Sequence, residues 1–224
     1  MNQANEVYHR LLERFGPQGW WPAETSFEMM VGAILAPQTS WKKVEIAIRN
    51  LRRAKVLGPA KIAAMSLPTL TDLIRPAGLH NTKPRRLRDF SRHLVRTSGG
   101  DARMFLRKDP RSLRSELLSL VGIGPETADS ILLYAAEVPK FVVDAYTRRM
   151  GTRVGLFDCD DYDEVQRFFE TNVKPDVKIY QEYHALIVEL AKKVCRPRPL
   201  CKDCPLGDVC DHARSPRQTR VRRS

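Results

Sequence analysis

Four of the five cysteines fall within the sixteen residues CRPRPLCKDCPLGDVC, at Cys195, Cys201, Cys204 and Cys210, while Cys159 stands alone in LFDCDDYDE. No other feature restricts the chain as much. Thiols packed this densely in a reducing compartment are metal ligands, not a disulfide framework. The spacing is C-x5-C-x2-C-x5-C, a single C-x2-C flanked by equal arcs. Four-cysteine zinc sites usually show two C-x2-C knuckles separated by a longer spacer. One continuous loop suits a bulkier iron–sulfur cube. The expectation is a 4Fe-4S cluster on these four residues, with zinc as the rival and Cys159 as a bystander.

Upstream of that loop the pattern is helical. In TSFEMMVGAILA the apolar Phe27, Met30, Val31, Ile34 and Leu35 recur at helical spacing, and Thr25 with Glu28 forms a capping box. Comparable faces run through VYHRLLERF, KKVEIAIRNLRRA, residues 113–121, ETADSILLYAAE, YDEVQRFFE and YHALIVELAKKV. Pro and Gly mark joins at Gly16-Pro17, Gly58-Pro59, Leu67-Pro68, Pro76-Ala77-Gly78 and Lys174-Pro175. FVV before Asp144 is too short to argue for a sheet, so the fold class is all-α.

At 224 residues and 42% hydrophobic content, the chain can bury one good core or two small ones. Lys and Arg outnumber Asp and Glu by 38 to 26, a formal charge of +12, which biases the partner toward a polyanion. The N-terminus, MNQANEVYHRLLERF, lacks the apolar core of a signal peptide, and no segment reaches the roughly 18 apolar residues of a membrane helix. A soluble, cytoplasmic protein is expected. The closing HARSPRQTRVRRS carries five arginines and nothing to bury, so residues 213–224 read as a disordered, polyanion-seeking tail.

Between these lies LVGIGPETADSILLYAAEVPKFVVD. Gly122 and Gly124 are expected to turn the backbone with positive φ and bare amide N–H groups ahead of an electropositive helix N-terminus, where a phosphate can be gripped. A lone G-x-G is more often a plain helix–helix turn. Three neighbours sharpen this one: Thr127 and Ala128 after it, the basic Lys83, Arg85, Arg86 and Arg88 upstream, and Asp144 downstream.

L-x-x-L-V-G-I-G-P-E-T-A-D, then V-D-A-Y-T-R-R, then the four-cysteine loop resembles the helix-hairpin-helix superfamily of DNA glycosylases, the endonuclease III relatives. The similarity spans nearly the whole chain; the first cysteine arc is one residue shorter than the family's usual pattern. The resemblance implies a two-domain fold with a C-terminal iron–sulfur loop. Residues 25–138 would form a helical barrel carrying the hairpin, residues 1–24 with 139–212 a cluster domain, and DNA would lie across the cleft between them. It also implies a nucleoid-associated monomer that binds double-stranded DNA containing damaged bases.

The same resemblance assigns roles. Asp144 matches the catalytic aspartate, with a helix N-cap as its bland alternative. Gln38 in LAPQTSW resembles the residue that fills the hole left by a flipped base, and Leu79 in AGLHNTK the wedge that opens the stack; a polar cap and a core leucine are the alternatives. Gly122, Gly124 and Thr127 would hold the DNA backbone. Family members that also cut the strand carry, where this chain has Glu126, a lysine that forms a Schiff base. A glutamate cannot, and its bland role is an acid favourable to the helix dipole. Water is then the nucleophile. Lys140 matches no lyase position and is expected to meet solvent or phosphate.

Trp20, Trp21 and Pro22 in GWWPAE, Trp41 in QTSW, and the segments LHNTK and GIGPETAD look most like the 3-methyladenine DNA glycosylases of the endonuclease III type, in which matching aromatic and proline residues stack on the flipped base. That relative lacks the cysteine loop, so this chain combines its pocket with the loop of the wider family. The implied activity is a monofunctional glycosylase that excises alkylated purines such as 3-methyladenine and leaves an abasic site. The alternatives are excision of oxidised pyrimidines or of mismatched thymine or uracil, and a damaged-DNA-binding protein without catalysis.

Overall fold

A computed structural model describes residues 2–215 of the protein. Its helices are α1 (Gln3–Phe15), α2 (Ser26–Leu35), α3 (Trp41–Arg53), α4 (Pro59–Ala64), α5 (Leu67–Ile74), α6 (Lys83–Ser98), α7 (Ala102–Leu106), α8 (Pro110–Leu118), α9 (Pro125–Tyr134), α10 (Ala145–Val154), α11 (Tyr162–Asn172), α12 (Val177–Lys193) and α13 (Asp211–Arg214). There is no strand among the described residues, as the all-α reading expects. The chain divides into two compact units: one holds Trp21–Val138, the other joins the N-terminal residues through Trp20 to the chain from Pro139 onward.

The unit Trp21–Val138 is built on α2. Nine of its ten residues are buried, as expected of a helix that is apolar nearly all round. Its one charge, Glu28, is 4% exposed and meets Arg52 Nη2 at 2.6 and 2.7 Å. Thr25 Oγ1 accepts the Glu28 amide at 3.1 Å. Only half of the expected capping box forms, because the Glu28 carboxylate turns to Arg52 and not back to Thr25. Leu87, Phe90 and Leu94 of α6 and Ile131 and Leu132 of α9 complete the core.

Helices α8 and α9 flank the glycine hairpin. Leu113, Leu117 and Ile123 are buried beneath it, and Arg114 makes a two-pronged bond to the fully buried Asp129, at 2.7 and 3.0 Å. That fork ties the two arms of the hairpin with the strongest kind of side-chain hydrogen bond.

The other unit is aromatic at its centre. Phe141 stacks on Phe169 at 4.2 Å and 5°, with Tyr180 and Tyr183 at the edge of Phe141. The buried Tyr183 hydroxyl donates to Ala4 O at 2.8 Å, which anchors α1.

The joins expected at Gly58-Pro59 and Leu67-Pro68 are present, and the prolines open α4 and α5, since the first helical turn tolerates a missing N–H. One local expectation changes. Ala213 and Arg214, read as tail, complete α13, where Asp211 packs against Gly155 so closely that a Cβ there would stand 2.1 Å from its Oδ2. The rest of the basic tail, 216–224, lies outside the described residues. Among those described, no helix is long and apolar enough to cross a membrane.

Candidate active site

Asp144 is positioned by a segment that has no sheet to join. Phe141, Val142 and Val143 are buried and lie in neither helix nor strand, so their backbone groups need partners outside regular structure. Helix α11 supplies them from one face at four-residue intervals. Glu170 Oε1 accepts the Phe141 amide at 3.0 Å, Gln166 Nε2 donates to Phe141 O at 2.6 Å, and Tyr162 OH accepts the Val143 amide at 3.5 Å. Lys140 is half-buried, so it meets solvent as expected, and it also pairs with Glu170 at 3.1 Å.

Asp144 does two things at once. Oδ1 caps α10, accepting from Thr147 N at 2.7 Å and Thr147 Oγ1 at 2.9 Å. Oδ2 faces His184 Nε2 at 3.5 Å. Burial pushes the carboxyl pKa up, but His184 and the Thr147 donors outweigh it and hold the group below its ordinary value. The N-cap and the candidate catalytic carboxylate are therefore one arrangement, with one oxygen used in the cap and the other directed at a histidine. His184 is 4% exposed on α12 and was not anticipated. The Trp20 ring lies 5.6 Å from the His184 ring, with Lys192 Nζ 5.7 Å from its centroid.

Within Trp21–Val138 the structure brings Trp21 and Trp41 together, edge to face at 4.6 Å, with Tyr134 at 5.1 Å from Trp21. Gly32 of α2 makes the room: a Cβ there would stand 3.2 Å from Trp21 Cζ2 and 3.3 Å from Trp41 Cη2. All three rings are partly buried against the core. Pro22 is exposed beside them in sequence. Trp20, grouped with this pair by the sequence, belongs to the unit of Asp144 and His184.

Gln38 and Leu79 are both exposed, and both have left-handed backbones, with φ of 58° and 47°. Non-glycine residues there cost about 1–2 kcal/mol each, and such strain gathers at functional sites. Pro37 followed by a positive-φ Gln38, closed by Thr39 N donating to Ala36 O at 3.1 Å, has the form of a type II turn. Glycine or asparagine is the usual third residue of that turn, so glutamine stands here against local preference.

At the hairpin only Gly122 is left-handed, at φ +83°; Gly124 is extended at φ −93° and acts as the N-cap of α9. The expected positive φ at both glycines is thus halved. Gly122 lets the Arg86 side chain lie across the turn, since a Cβ would come within 2.1 Å of Arg86 Nε. Lys83 does not join it on the surface: it is wholly buried. Thr127 is buried too, at 6% exposure, and Val121 projects outward at 93%. Glu126 sits half-buried on the first turn of α9, where its backbone carbonyl accepts from Ser130 Oγ at 2.7 Å.

Helix ends show a further pattern. N-cap side chains bond the first turns of α1, α2, α5, α7, α8, α10, α11 and α12. No such bond forms at α3, α4, α6, α9 or α13. Three of these, α3, α6 and α9, begin just after Gln38, Leu79 and the hairpin, and first-turn amides lack intrahelical acceptors, so a missing cap there is compatible with an anion but does not by itself mark one.

The cysteine loop belongs to the unit of Asp144. Cys210 is buried and Cys195, Cys201 and Cys204 are half-buried. Arg149 and Arg153 of α10 brace the loop: Arg149 Nε donates to Cys195 O at 2.9 Å, and Arg153 reaches Cys195 Sγ at 3.4 Å and Arg196 O at 2.6 Å. Burial pushes the Cys204 thiol up to about 11, with Cys195, Cys210 and Cys201 adding to the rise. Among the described residues no three His, Cys, Asp or Glu side chains meet around a point that could hold a single metal ion. The fit to a cluster rests on the donor set itself: four thiols in electrostatic reach of one another, with backbone amides directed at Cys204 and Cys210.

A helical hairpin followed by a capped aspartate and a four-thiol loop defines a class, and comparison with known proteins agrees. Residues 31–175 match the model of the HhH-GPD superfamily of base excision DNA repair proteins, and the chain belongs to that family. It is a DNA glycosylase of the base excision repair type. A protein of Methanocaldococcus jannaschii named as a DNA repair glycosylase is 49% identical over 207 residues, covering 92% of this chain and 94% of that one. The H. pylori 3-methyladenine DNA glycosylase, solved bound to 1,N6-ethenoadenine, is 29% identical with a TM-score of 0.76, covering 86% of this chain and 98% of that one. An endonuclease III trapped in covalent complex with DNA shares the fold at a TM-score of 0.81 and 22% identity, covering 96% and 98%.

Proposed function

We propose that the protein is a monofunctional glycosylase that turns a damaged base out of duplex DNA and hydrolyses its N-glycosidic bond, with alkylated purines, 3-methyladenine first, as substrates. The observation that carries this reading is the ionised Asp144, held by Thr147 and His184. In the reaction the C1′–N bond breaks and its electron pair leaves with the base. The sugar passes through a cationic state that the Asp144 carboxylate stabilises. Water, oriented by the same carboxylate, bonds to C1′ and passes its proton through that carboxylate to solvent, which leaves Asp144 ionised again. A base that is already cationic becomes neutral as it leaves, so no strong general acid is required. Trp21 and Trp41 supply aromatic faces for such a ring. Gln38, Leu79 and the hairpin take the DNA backbone and the opened stack. The substrate in the H. pylori relative's name supports the alkylated-purine reading.

Water as nucleophile rests on two positions. The first turn of α9 holds Glu126 and not a lysine, and the Lys140 amine is engaged by Glu170. On lesion duplex the product strand should therefore stay intact until alkali or heat is applied, and borohydride should trap no protein–DNA adduct. A trapped adduct in the wild type would assign the attack to an amine.

Cys195, Cys201, Cys204 and Cys210 would hold a 4Fe-4S cluster, which supplies a covalent staple to the C-terminal loop. Protein purified without oxygen should be yellow-brown, with iron and sulfide each at about four per chain. Stoichiometric zinc in a colourless protein would contradict this. Cys204→Ser should lower the melting temperature and DNA affinity more than the rate of the chemical step.

A further inference from the structure

Gln38 and Leu79 lie on separate turns, and one side chain bonds the backbone behind both. Lys83, the first residue of α6, is fully buried, and its Nζ donates to Leu35 O and to Ala77 O, each at 2.8 Å. Leu35 ends α2, and the turn that follows carries Gln38. Ala77 immediately precedes Gly78 and Leu79, both left-handed, and Leu79 O accepts the backbone amide of Lys83 itself at 3.1 Å. The ammonium is thus a bridge between two strained turns that are 41 residues apart, Gln38 to Leu79.

Burying it is costly. Desolvation, with Arg86 adding repulsion, brings its pKa down to about 8, and an apolar side chain of similar length would fill the space without that penalty. What an apolar residue could not do is satisfy both carbonyls at fixed spacing, since an ammonium carries three donors.

We propose that Lys83 is a positioning residue for DNA probing, its side chain fixing the spacing of the two turns so that Gln38 and Leu79 enter the opened duplex together. The proposal rests on the reading of those two residues as the DNA probes. Lys83 touches no substrate; it acts through them.

The test uses single-turnover excision on whichever lesion duplex the wild type excises fastest. Gln38→Ala and Leu79→Ala should each slow it, and Lys83→Met should slow it by about tenfold or more, the scale of a misplaced positioning group. Adding Gln38→Ala to Lys83→Met should cost less than Gln38→Ala costs alone, because the probe is already misplaced. With the lesion set opposite an abasic site, where extrusion meets little resistance, Lys83→Met should recover most of the lost rate; a merely structural loss would persist. Where Lys83→Met melts too low to assay, Lys83→Gln, able to keep one of the two bonds, should show an intermediate loss with the same recovery. A normal rate for the Lys83 variants while Gln38→Ala and Leu79→Ala are slow, or losses that simply multiply, overturns the proposal alone. Normal rates for Gln38→Ala and Leu79→Ala overturn the probe reading, and the Lys83 role falls with it.

Discussion

Asp144→Asn should stop base release, lowering single-turnover excision by about 10³-fold or more, on the scale of removing a preorganised electrostatic group from an active site. Affinity for lesion duplex should change by no more than a few fold. The split is expected because asparagine keeps the structural half of the aspartate's work. Its amide oxygen can replace Oδ1 as acceptor for the Thr147 amide and hydroxyl, and asparagine is as good an N-cap as aspartate. What disappears is the charge on Oδ2, the atom facing His184 at 3.5 Å. The folded carboxyl lies below its ordinary value. It is therefore ionised at and above the unfolded value of about 3.9, and its contribution to stability is lost only as pH falls through the lower folded value. No acid limb of the rate profile above about pH 4 should belong to it. An Asp144→Asn variant that excises normally would remove the carboxylate from the mechanism.

The second large effect is expected at Trp21. Trp21→Ala should slow release of 3-methyladenine by about ten- to thirtyfold, the equivalent of a cation–π contact near 2 kcal/mol, while binding to an abasic-site analogue changes less, because that ligand has no base to stack. Trp21 also packs on Trp41, Tyr134 and Gly32, so the alanine variant should melt lower as well. Trp21→Phe separates the two losses by keeping an aromatic face. Trp41→Ala should act in the same direction with a smaller factor. Normal excision by both alanine variants would end the stacking assignment.

How far these features could be read from the sequence depended on whether a residue's neighbours lay nearby in the chain. Helix α2 was legible because its apolar residues repeat at helical spacing, and Asp144 because an apolar run leads into it after a glycine hairpin. Helix α6 was not. In KPRRLRDFSRHLVRTS the core face is Leu87, Phe90 and Leu94, with Lys83, Pro84, Ser91 and Ser98 also buried, and the arginines conceal it. Lys83 counted as one more cation of a basic stretch; nothing local shows that it is buried between two carbonyls. His184 sits inside YHALIVEL, where a single polar residue reads as core. Tyr162, Gln166 and Glu170 share a face of α11, but the backbone they serve is 19 to 29 residues away. Gly124 shows a further limit, since a glycine in sequence does not declare whether its φ is positive and here it is −93°.

Hydrolytic excision of an alkylated purine can be read in a single assay. The wild-type protein is incubated with a panel of duplexes, each carrying one lesion, and the released base is identified by mass while the strand is examined before and after alkali. 3-Methyladenine should be released fastest, from a strand that remains whole until alkali is added. Faster release of thymine, uracil or an oxidised pyrimidine, or a strand already cut without alkali, would contradict it.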